Sequence, residues 1–513
     1  MLPLFTSEQM RGFDRRAITE MGIPGIVLME NAALAALDLI EKELGDVDLL
    51  TIGVLCGPGN NGGDGFALAR QLFLRGCDVE IWLMDDPVKL SGDAKINFEA
   101  AAKLDIPMIE PETGEDLEFE GYDLVVDAMF GTGLERKVTG LFAEAIELLN
   151  QTELPVLALD LPSGVNADTG AELGIALDAT FTITFQCGKP GLYLEPGRKH
   201  AGEVHIVPIS LPISADDALK ATYFLPEHDD AATLFPERPA NSHKGNYGKL
   251  LLIAGSKGMS GAARLAAGAA LRCGAGLVMV ATPECVRSEV TRQPELMTVG
   301  LPETAGGCIS YAAREKLEPL LKWADAVAVG PGLGQDAETA HLLNDILASN
   351  KRLVIDADGL NLIAAHHLQD KLPVNAILTP HPGELERLCG TSLPTVHERI
   401  AAAREFARQH QVVVHVKGSS SATVTTDGKV YVNTTGNPGL ATGGSGDVLA
   451  GIVGALCAQG IPAGACAWGG AYVHGLAADI AADVLGEVSL LPSDVIAHLP
   501  AAIDELATET ENE

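Results

Sequence analysis

Basic side chains are scarce in this 513-residue chain: 35 lysines and arginines stand against 69 aspartates and glutamates, for a formal net charge of −34. A surface that acidic repels nucleic acid and anionic membrane, so neither is expected as a partner. Metal or redox cysteine spacing is also missing. The nine cysteines form no CxxC pair, and Cys56, Cys273 and Cys457 sit inside apolar runs. They read as small buried residues of a reduced protein. No segment reaches the roughly 20 apolar residues of a membrane span. Val448–Ala458 is apolar, but Gln459 and the Ile461-Pro462 break close it after one short helix. The opening MLPLFTSEQMRGFDRR lacks the basic-then-apolar order of a signal peptide, and a cytoplasmic location is the expectation.

What is present is an ordinary soluble balance, 47% hydrophobic and 20% charged, in a chain too long for one domain. Short β-branched runs alternate with Ala/Leu-rich helical stretches, the rhythm of βαβ units and parallel sheets. Strands are expected near Thr51–Cys56, Val79–Leu83, Leu124–Ala128, Val156–Asp160, Phe181–Thr184 and Val204–Val207. A second set is expected near Lys249–Ala254, Leu277–Ala281, Ala326–Val329, Leu353–Asp356, Ala376–Thr379 and Val412–Lys417. Between them, LPISADDALKATYFLPEHDDAATLFPERPANSHKGNYG is rich in Pro, Asp and Ala and has no long apolar period. The boundary falls inside it, giving domains 1–222 and 223–513. The fold class is α/β, with an N-terminal Rossmann-like three-layer domain. The acidic tail from Asp504 to Glu513 is expected to fray.

Glycine is abundant, and much of it lies in loops after apolar runs. Gly57-Pro58-Gly59-Asn60-Asn61-Gly62-Gly63-Asp64-Gly65 falls between a strand and the helix FALARQLFLRG. Glycine admits positive φ and close backbone approach, and a helix start points free N–H groups at an anion. The spacing is neither GxGxxG nor a Walker loop. Asp127-Ala128-Met129-Phe130-Gly131-Thr132-Gly133-Leu134 and Asp160-Leu161-Pro162-Ser163-Gly164-Val165 occupy equivalent strand ends. Ligands of open α/β sheets bind there. Together these loops offer amide, carboxylate and hydroxyl oxygens, which suit a hard cation and not zinc. Taken singly, Asp127 could cap a helix and Ser163 could close a turn.

In the second half, Gly436–Asp447 reads GNPGLATGGSGD before the helix VLAGIVGAL. Consecutive glycines at a helix start form an anion hole, and the carboxylate after them stands where a phosphoryl group would transfer. Asp447 could alternatively be a plain N-cap. GPGLG at Gly330, DADGLN at Asp356 and TPHPGE at Thr379 also follow strands. His381, between two prolines, suits a ligand contact, and Lys417-Gly418-Ser419-Ser420-Ser421 offers one cation and hydroxyls to a phosphate.

GPGNNGGDG, DAMFGTGL, DLPSG and TFQCGKPG resemble the NAD(P)H-hydrate epimerases over most of residues 1–220. The resemblance implies a potassium ion held by Asn61, Asp127 and Ser163. It implies hydrate binding by Asn60, Asn61, Gly62, Gly63 and Asp64, by Gly131, Thr132, Gly133, Leu134, Glu135, Arg136 and Lys137, and by Asp160, the acid–base group. Lys189 stands either as a group that orients or neutralises Asp160 or as a solvated loop lysine. From about residue 235 to 500, YGKLLLIAGSKGMSGAA, GPGLG, DADGLN, LTPHPGE and GNPGLATGGSGDVLAG resemble the ribokinase-like NAD(P)H-hydrate dehydratases. That resemblance implies a ribokinase-like three-layer domain. Lys417, Gly418, Ser419, Ser420, Ser421 and Gly446 would bind the nucleotide, and Ala262, Gly332, His381 and Asp447 the hydrate, with Asp447 as base. ADP as co-substrate, Mg2+ in the second half and a homo-oligomer complete the expectation. The runner-up is a ribokinase-like kinase of a small hydroxyl compound, whose N-terminal domain binds nucleotide without turnover.

Overall fold

The computed structural model describes residues 1–508. The chain forms two compact units: Pro3–Tyr223, and a second beginning at Phe224 that also includes Met1–Leu2.

The N-terminal unit is built on seven strands: β1 (Thr51–Cys56), β2 (Asp78–Leu83), β3 (Met108–Ile109), β4 (Leu124–Ala128), β5 (Val156–Leu159), β6 (Phe181–Phe185) and β7 (Glu203–Val207). They lie in the order β3-β2-β1-β4-β5-β6-β7, every neighbouring pair parallel. Parallel neighbours require crossovers, supplied by helices such as α3 (Asn60–Leu74) and α4 (Gly92–Lys103), which follow α1 (Ser7–Thr19) and α2 (Gly25–Leu44). Ile52 through Cys56 are buried without alternation, so both faces of β1 are covered. The strand order turns back between β1 and β4, and that crevice lies at the carboxyl ends of both strands.

The C-terminal unit repeats the logic with β8 (Lys249–Ile253), β9 (Leu277–Pro283), β10 (Met297–Leu301), β11 (Ala326–Val329), β12 (Arg352–Ile355), β13 (Ile377–Leu378), β14 (Val413–Val416), β15 (Ala422–Val424) and β16 (Val430–Val432). Their order is β16-β15-β14-β13-β12-β11-β8-β9-β10, parallel from β14 to β10 and antiparallel across β14-β15-β16. Here the turn-back lies between β8 and β11. The helices α5 (Ser260–Arg272), α6 (Asp358–Ala365), α7 (Pro382–Cys389), α8 (Ser445–Ala458), α9 (Ala463–Leu485) and α10 (Pro492–Thr508) follow. A Cβ on Gly451 would lie 2.0 Å from the carbonyl oxygen of Ala266, so α5 and α8 cross in backbone contact. The surrounding core is correspondingly rich in alanine.

All twelve expected strands coincide with strands to within two residues at each end. Six were missed: two-residue β3, β10, the hairpin β15-β16, and the short strands Leu2–Leu4 and Tyr223–Leu225. The connecting segment is not plain linker, since it holds a helix (Ala215–Leu219), a strand (Tyr223–Leu225) and another helix (His228–Ala232). The expected fraying is corrected in part: Asp504 to Thr508 complete α10, and the remaining five residues lie outside those described. Among the described residues no helix is long and apolar enough to cross a membrane.

Candidate active sites

In the N-terminal unit the loop expected to run through Gly65 is shorter, because α3 already begins at Asn60 with Gly59 as its cap. The glycines inside it serve close packing. A Cβ on Gly62 would lie 1.9 Å from the Gly57 carbonyl oxygen, one on Gly63 2.6 Å from Met29 Cε, and one on Gly65 2.6 Å from Ala128 Cβ. They draw the first turn of α3 down onto β1 and β4, with its unpaired N–H groups at the crevice.

A cavity of about 720 Å³ opens there, a size that holds a small ligand. Asn60, Asn61 and Asp64, the run Gly131 to Arg136, Asp160 and Lys189 all line it. Gly62, Gly63, Asp127, Ser163 and the exposed Lys137 do not. Gly131 keeps two of the groups together: a Cβ there would stand 3.3 Å from Asp160 Oδ2 and 3.4 Å from Asn61 Cγ.

Asp160 ends β5 with φ +67°, in the left-handed region. Its Oδ1 accepts from Lys189 Nζ at 2.5 Å. Lys189 is 1% exposed, and its ammonium also donates to Thr184 Oγ1 at 2.8 Å and to the Phe185 carbonyl at 3.1 Å. The solvated-loop alternative for Lys189 is therefore wrong; the lysine is a buried ion-pair partner. Behind the cavity, Asp127 is fully buried and caps no helix. Its Oδ1 accepts from Ser163 Oγ at 2.7 Å and Met129 N at 3.1 Å, and its Oδ2 accepts from Ser163 N at 2.7 Å. Burial pushes the Asp127 carboxyl up to about 6 against those hydrogen bonds. Asn61 is 7% exposed, and neither its Oδ1 nor its Nδ2 has a partner. Burial and the charges of Asp160 and Asp14 also push the half-buried Asp64 well up. Asp14, on α1, lines the same cavity and was missed, since nothing in its local sequence marks it.

In the C-terminal unit Asp447 is not the cap: Gly444 is, with φ +105°, and Asp447 is the third residue of α8. Lys417, at the end of β14, donates to Asp356 Oδ1 at 2.6 Å and lies 4.0 Å from Glu384 Oε2. A Cβ on Gly446 would lie 3.1 Å from Lys417 Nζ and 3.7 Å from Asp356 Oδ2. Burial first, then the charge of Asp356, push the Asp447 carboxyl up to about 7. His381 caps α7: its Nδ1 accepts from Gly383 N at 3.1 Å, its own N–H donates to Glu384 Oε2 at 2.9 Å, and its ring is half exposed at the rim. Partial burial and the nearby Lys417 and Arg387 hold that imidazole below its usual value. Gly332, with φ +56°, packs against α5, where a Cβ would stand 3.0 Å from Ala262 Cβ. The GPGLG loop meets the DADGLN loop through Gly330, whose Cβ would fall 1.8 Å from the Asp356 carbonyl. In Lys417–Ser421, Gly418 and Ser419 are exposed and Ser420 is buried. Ser445, not singled out by sequence reasoning, has a buried hydroxyl at the start of α8 with no hydrogen-bond partner among the described residues.

Two family models match the chain: one described as YjeF-related protein N-terminus over residues 25–191, the other as NAD(P)H-hydrate dehydratase over residues 250–501. The bifunctional NAD(P)H-hydrate repair enzyme Nnr of Moorella thermoacetica is 41% identical, over 99% of this chain and 98% of its own length. The enzyme of the same name from Thermofilum pendens is 38% identical, over 98% of this chain and 97% of its own. Among solved structures, a ribokinase-like superfamily protein from Enterococcus faecalis matches with TM-score 0.50 and 28% identity, over 56% of this chain and 97% of that one.

Proposed function

The chain belongs to the bifunctional NAD(P)H-hydrate repair enzymes, and from that premise we propose how its two halves divide the work. Residues 1–222 interconvert the R and S hydrates of NADH and NADPH at C6. Residues 223–513 dehydrate the S form back to NAD(P)H and convert ADP to AMP and phosphate. The observation that carries this reading is the pair of strand-end sites, each with a carboxylate held beside a lysine: Asp160 with Lys189, and Asp447 beside the Lys417–Asp356 pair.

In the first half the substrate's dinucleotide lies along Asn60–Asp64 and Gly131–Lys137, met by the free N–H groups of α3. Asp160, fixed by Lys189, exchanges the proton of the C6 hydroxyl. The residues fit a potassium ion, because among the described residues the buried Asp127 carboxylate has no ion-pair partner and the buried Asn61 amide oxygen has no hydrogen-bond partner. Asn61, Asp127 and Ser163 would hold it. When bound, the ion supplies the positive charge that keeps Asp127 ionised and anchors the α3 turn.

In the second half the amides at the start of α8 and the Ser445 hydroxyl receive the nucleotide phosphate, with Lys417–Ser421 beside them. Ala262, Gly332 and His381 frame the hydrate. Asp447 takes the C6 hydroxyl proton as that oxygen attacks phosphorus, and its raised pKa suits a base working near neutral pH. The ring-nitrogen lone pair then expels phosphate, a better leaving group than water, and the resulting iminium loses its C5 proton to give the C5–C6 double bond of NAD(P)H. Among the described residues no group of three or more His, Cys, Asp or Glu could hold a metal. Magnesium is usually held by one or two carboxylates with waters and substrate phosphates, and here it would enter with the nucleotide phosphates. The protein works in the cytoplasm as a homo-oligomer.

A persistent kinase product is disfavoured, because an N-terminal unit with the Asp160–Lys189 pair is more than a scaffold. The test is recovery of near-ultraviolet nicotinamide absorbance from NADH hydrate and ADP. Recovery of both epimers supports the reading. A stable phosphorylated product without recovery overturns it in favour of the kinase.

A further inference from the structure

The epimerase reaction needs two proton-handling groups, and the assignments above supply one. C6 of the hydrate bears both the hydroxyl and the bond to the ring nitrogen. Inverting it by opening the ring takes the hydroxyl proton away and delivers a proton to the nitrogen as the C6–N bond breaks. Asp160, with Oδ1 occupied by the Lys189 ammonium, is arranged to accept. The donor must come from another wall of the same cavity.

Helix α1 forms that wall. Met10, Asp14 and Ile18, at successive i, i+4 positions, line the cavity as one stripe in which Asp14 is the only ionisable group. Arg11, on the adjacent face, lines it as well. Asp14 is half-buried, and among the described residues it has neither a hydrogen-bond nor an ion-pair partner. The helix around it is tied down. Thr6 forms a capping box with Gln9, Ser7 N donates to Asp168 Oδ1 at 2.7 Å, and Arg16 grips Asp217 at 3.0 and 2.6 Å. A rigid helix that presents one unpartnered carboxyl to a substrate cavity leaves that carboxyl for the ligand.

Resting on the epimerase reading, we propose that Asp14 is the second catalytic residue of the N-terminal site, the acid that protonates the ring nitrogen while Asp160 removes the hydroxyl proton. In the forward step the O–H electron pair becomes the second C–O bond of an aldehyde. The C6–N pair goes to nitrogen, which takes the Asp14 proton. Rotation about the C5–C6 bond presents the other aldehyde face, and the reverse transfers close the ring with inverted configuration. No oxidant or further reactant is consumed. Burial, followed by the neighbouring Asp160 charge, raises the Asp14 carboxyl while Lys189 opposes, which favours a protonated group at this position. Arg11, Asp64, Asp93, Glu135, Arg136, Asp160 and Lys189 are the charged groups that line the cavity with it.

The test uses the full chain with the R hydrate of NADH, following epimerisation across pH. Asp14→Asn is expected to lower kcat by about 10²–10⁴-fold with KM nearly unchanged, and to flatten the alkaline limb of the profile. Asp14→Glu should restore part of kcat. Dehydration of the S hydrate, undiminished in both variants, reports an intact chain. A kcat unchanged in Asp14→Asn, or a loss confined to KM, overturns the inference. If Asp160→Ala also epimerises normally, the epimerase reading falls with it; if only Asp14→Asn is normal, the site stands and Asp14 is not its acid.

Discussion

Lys417 Nζ and Asp356 Oδ1 lie 2.6 Å apart beside Gly446, so the lysine expected to meet a phosphate is already half of an ion pair. The pair sets the field at Asp447, raised by burial and Asp356 and lowered by Lys417. As the proposed base, Asp447 must be ionised, so the dehydratase rate is expected to fall as pH drops through about 7. Asp356→Asn removes a negative neighbour and should move that acid limb to lower pH. Lys417→Met removes a positive one and should move it higher, while also raising the KM for ADP. Profiles of kcat against pH check both; an unmoved limb in both would mean that Asp447 is not the titrating group.

The two activities should separate by single substitutions. Asp160→Ala is expected to stop epimerisation and spare dehydration of the S hydrate. Asp447→Ala should do the reverse, with a loss of about 10²-fold or more in each case. Resolving the epimers by chromatography during turnover tells the variants apart. Dehydration that survives in Asp447→Ala would remove the base assignment.

The proposed potassium site would tie cation binding to pH through Asp127. Its carboxyl holds a proton more tightly folded than unfolded, so its contribution to folding is fully present below about pH 4 and is lost as pH rises through about 6. Above that range the buried charge needs a countercharge. Potassium should therefore raise the unfolding midpoint of the N-terminal unit more at about pH 8 than at about pH 5, and Asp127→Asn should abolish the difference. Thermal melts in potassium against choline salts make the comparison.

Gly62→Ala should damage the first unit selectively, since the new methyl meets the Gly57 carbonyl at 1.9 Å. A cost of about 1–3 kcal/mol and loss of epimerisation are expected. Gly12→Ala, in open space on α1, is the control and should stabilise by up to about 1 kcal/mol. Denaturant titrations with both substitutions give the two signs.

The strands were legible because parallel strands covered on both faces read as unbroken apolar runs, as in TIGVLC and AVAV. The edges were not: β3 is two residues long, and β15 and β16 pair antiparallel in segments too short for a period to show. The loops at the strand ends announced themselves by composition. The side chains that complete them were harder to read: the pairing of Lys189 with Asp160, across 29 residues, was one of two alternatives, and that of Lys417 with Asp356, across 61, was not foreseen. Asp14 is one acidic residue in a mixed-charge helix, and only the folded wall gives it a place. The helix start at Asn60 was misread because glycine argues locally for a loop, whereas here it permits a helix to lie on two strands.

The sealed ammonium of Lys189 makes a natural chemical clock. Acylating or carbamylating reagents that label surface lysines within minutes should reach this one only when the packing around its ammonium loosens, so the rate at which Lys189 is tagged measures how often the Asp160–Lys189 pair is uncovered.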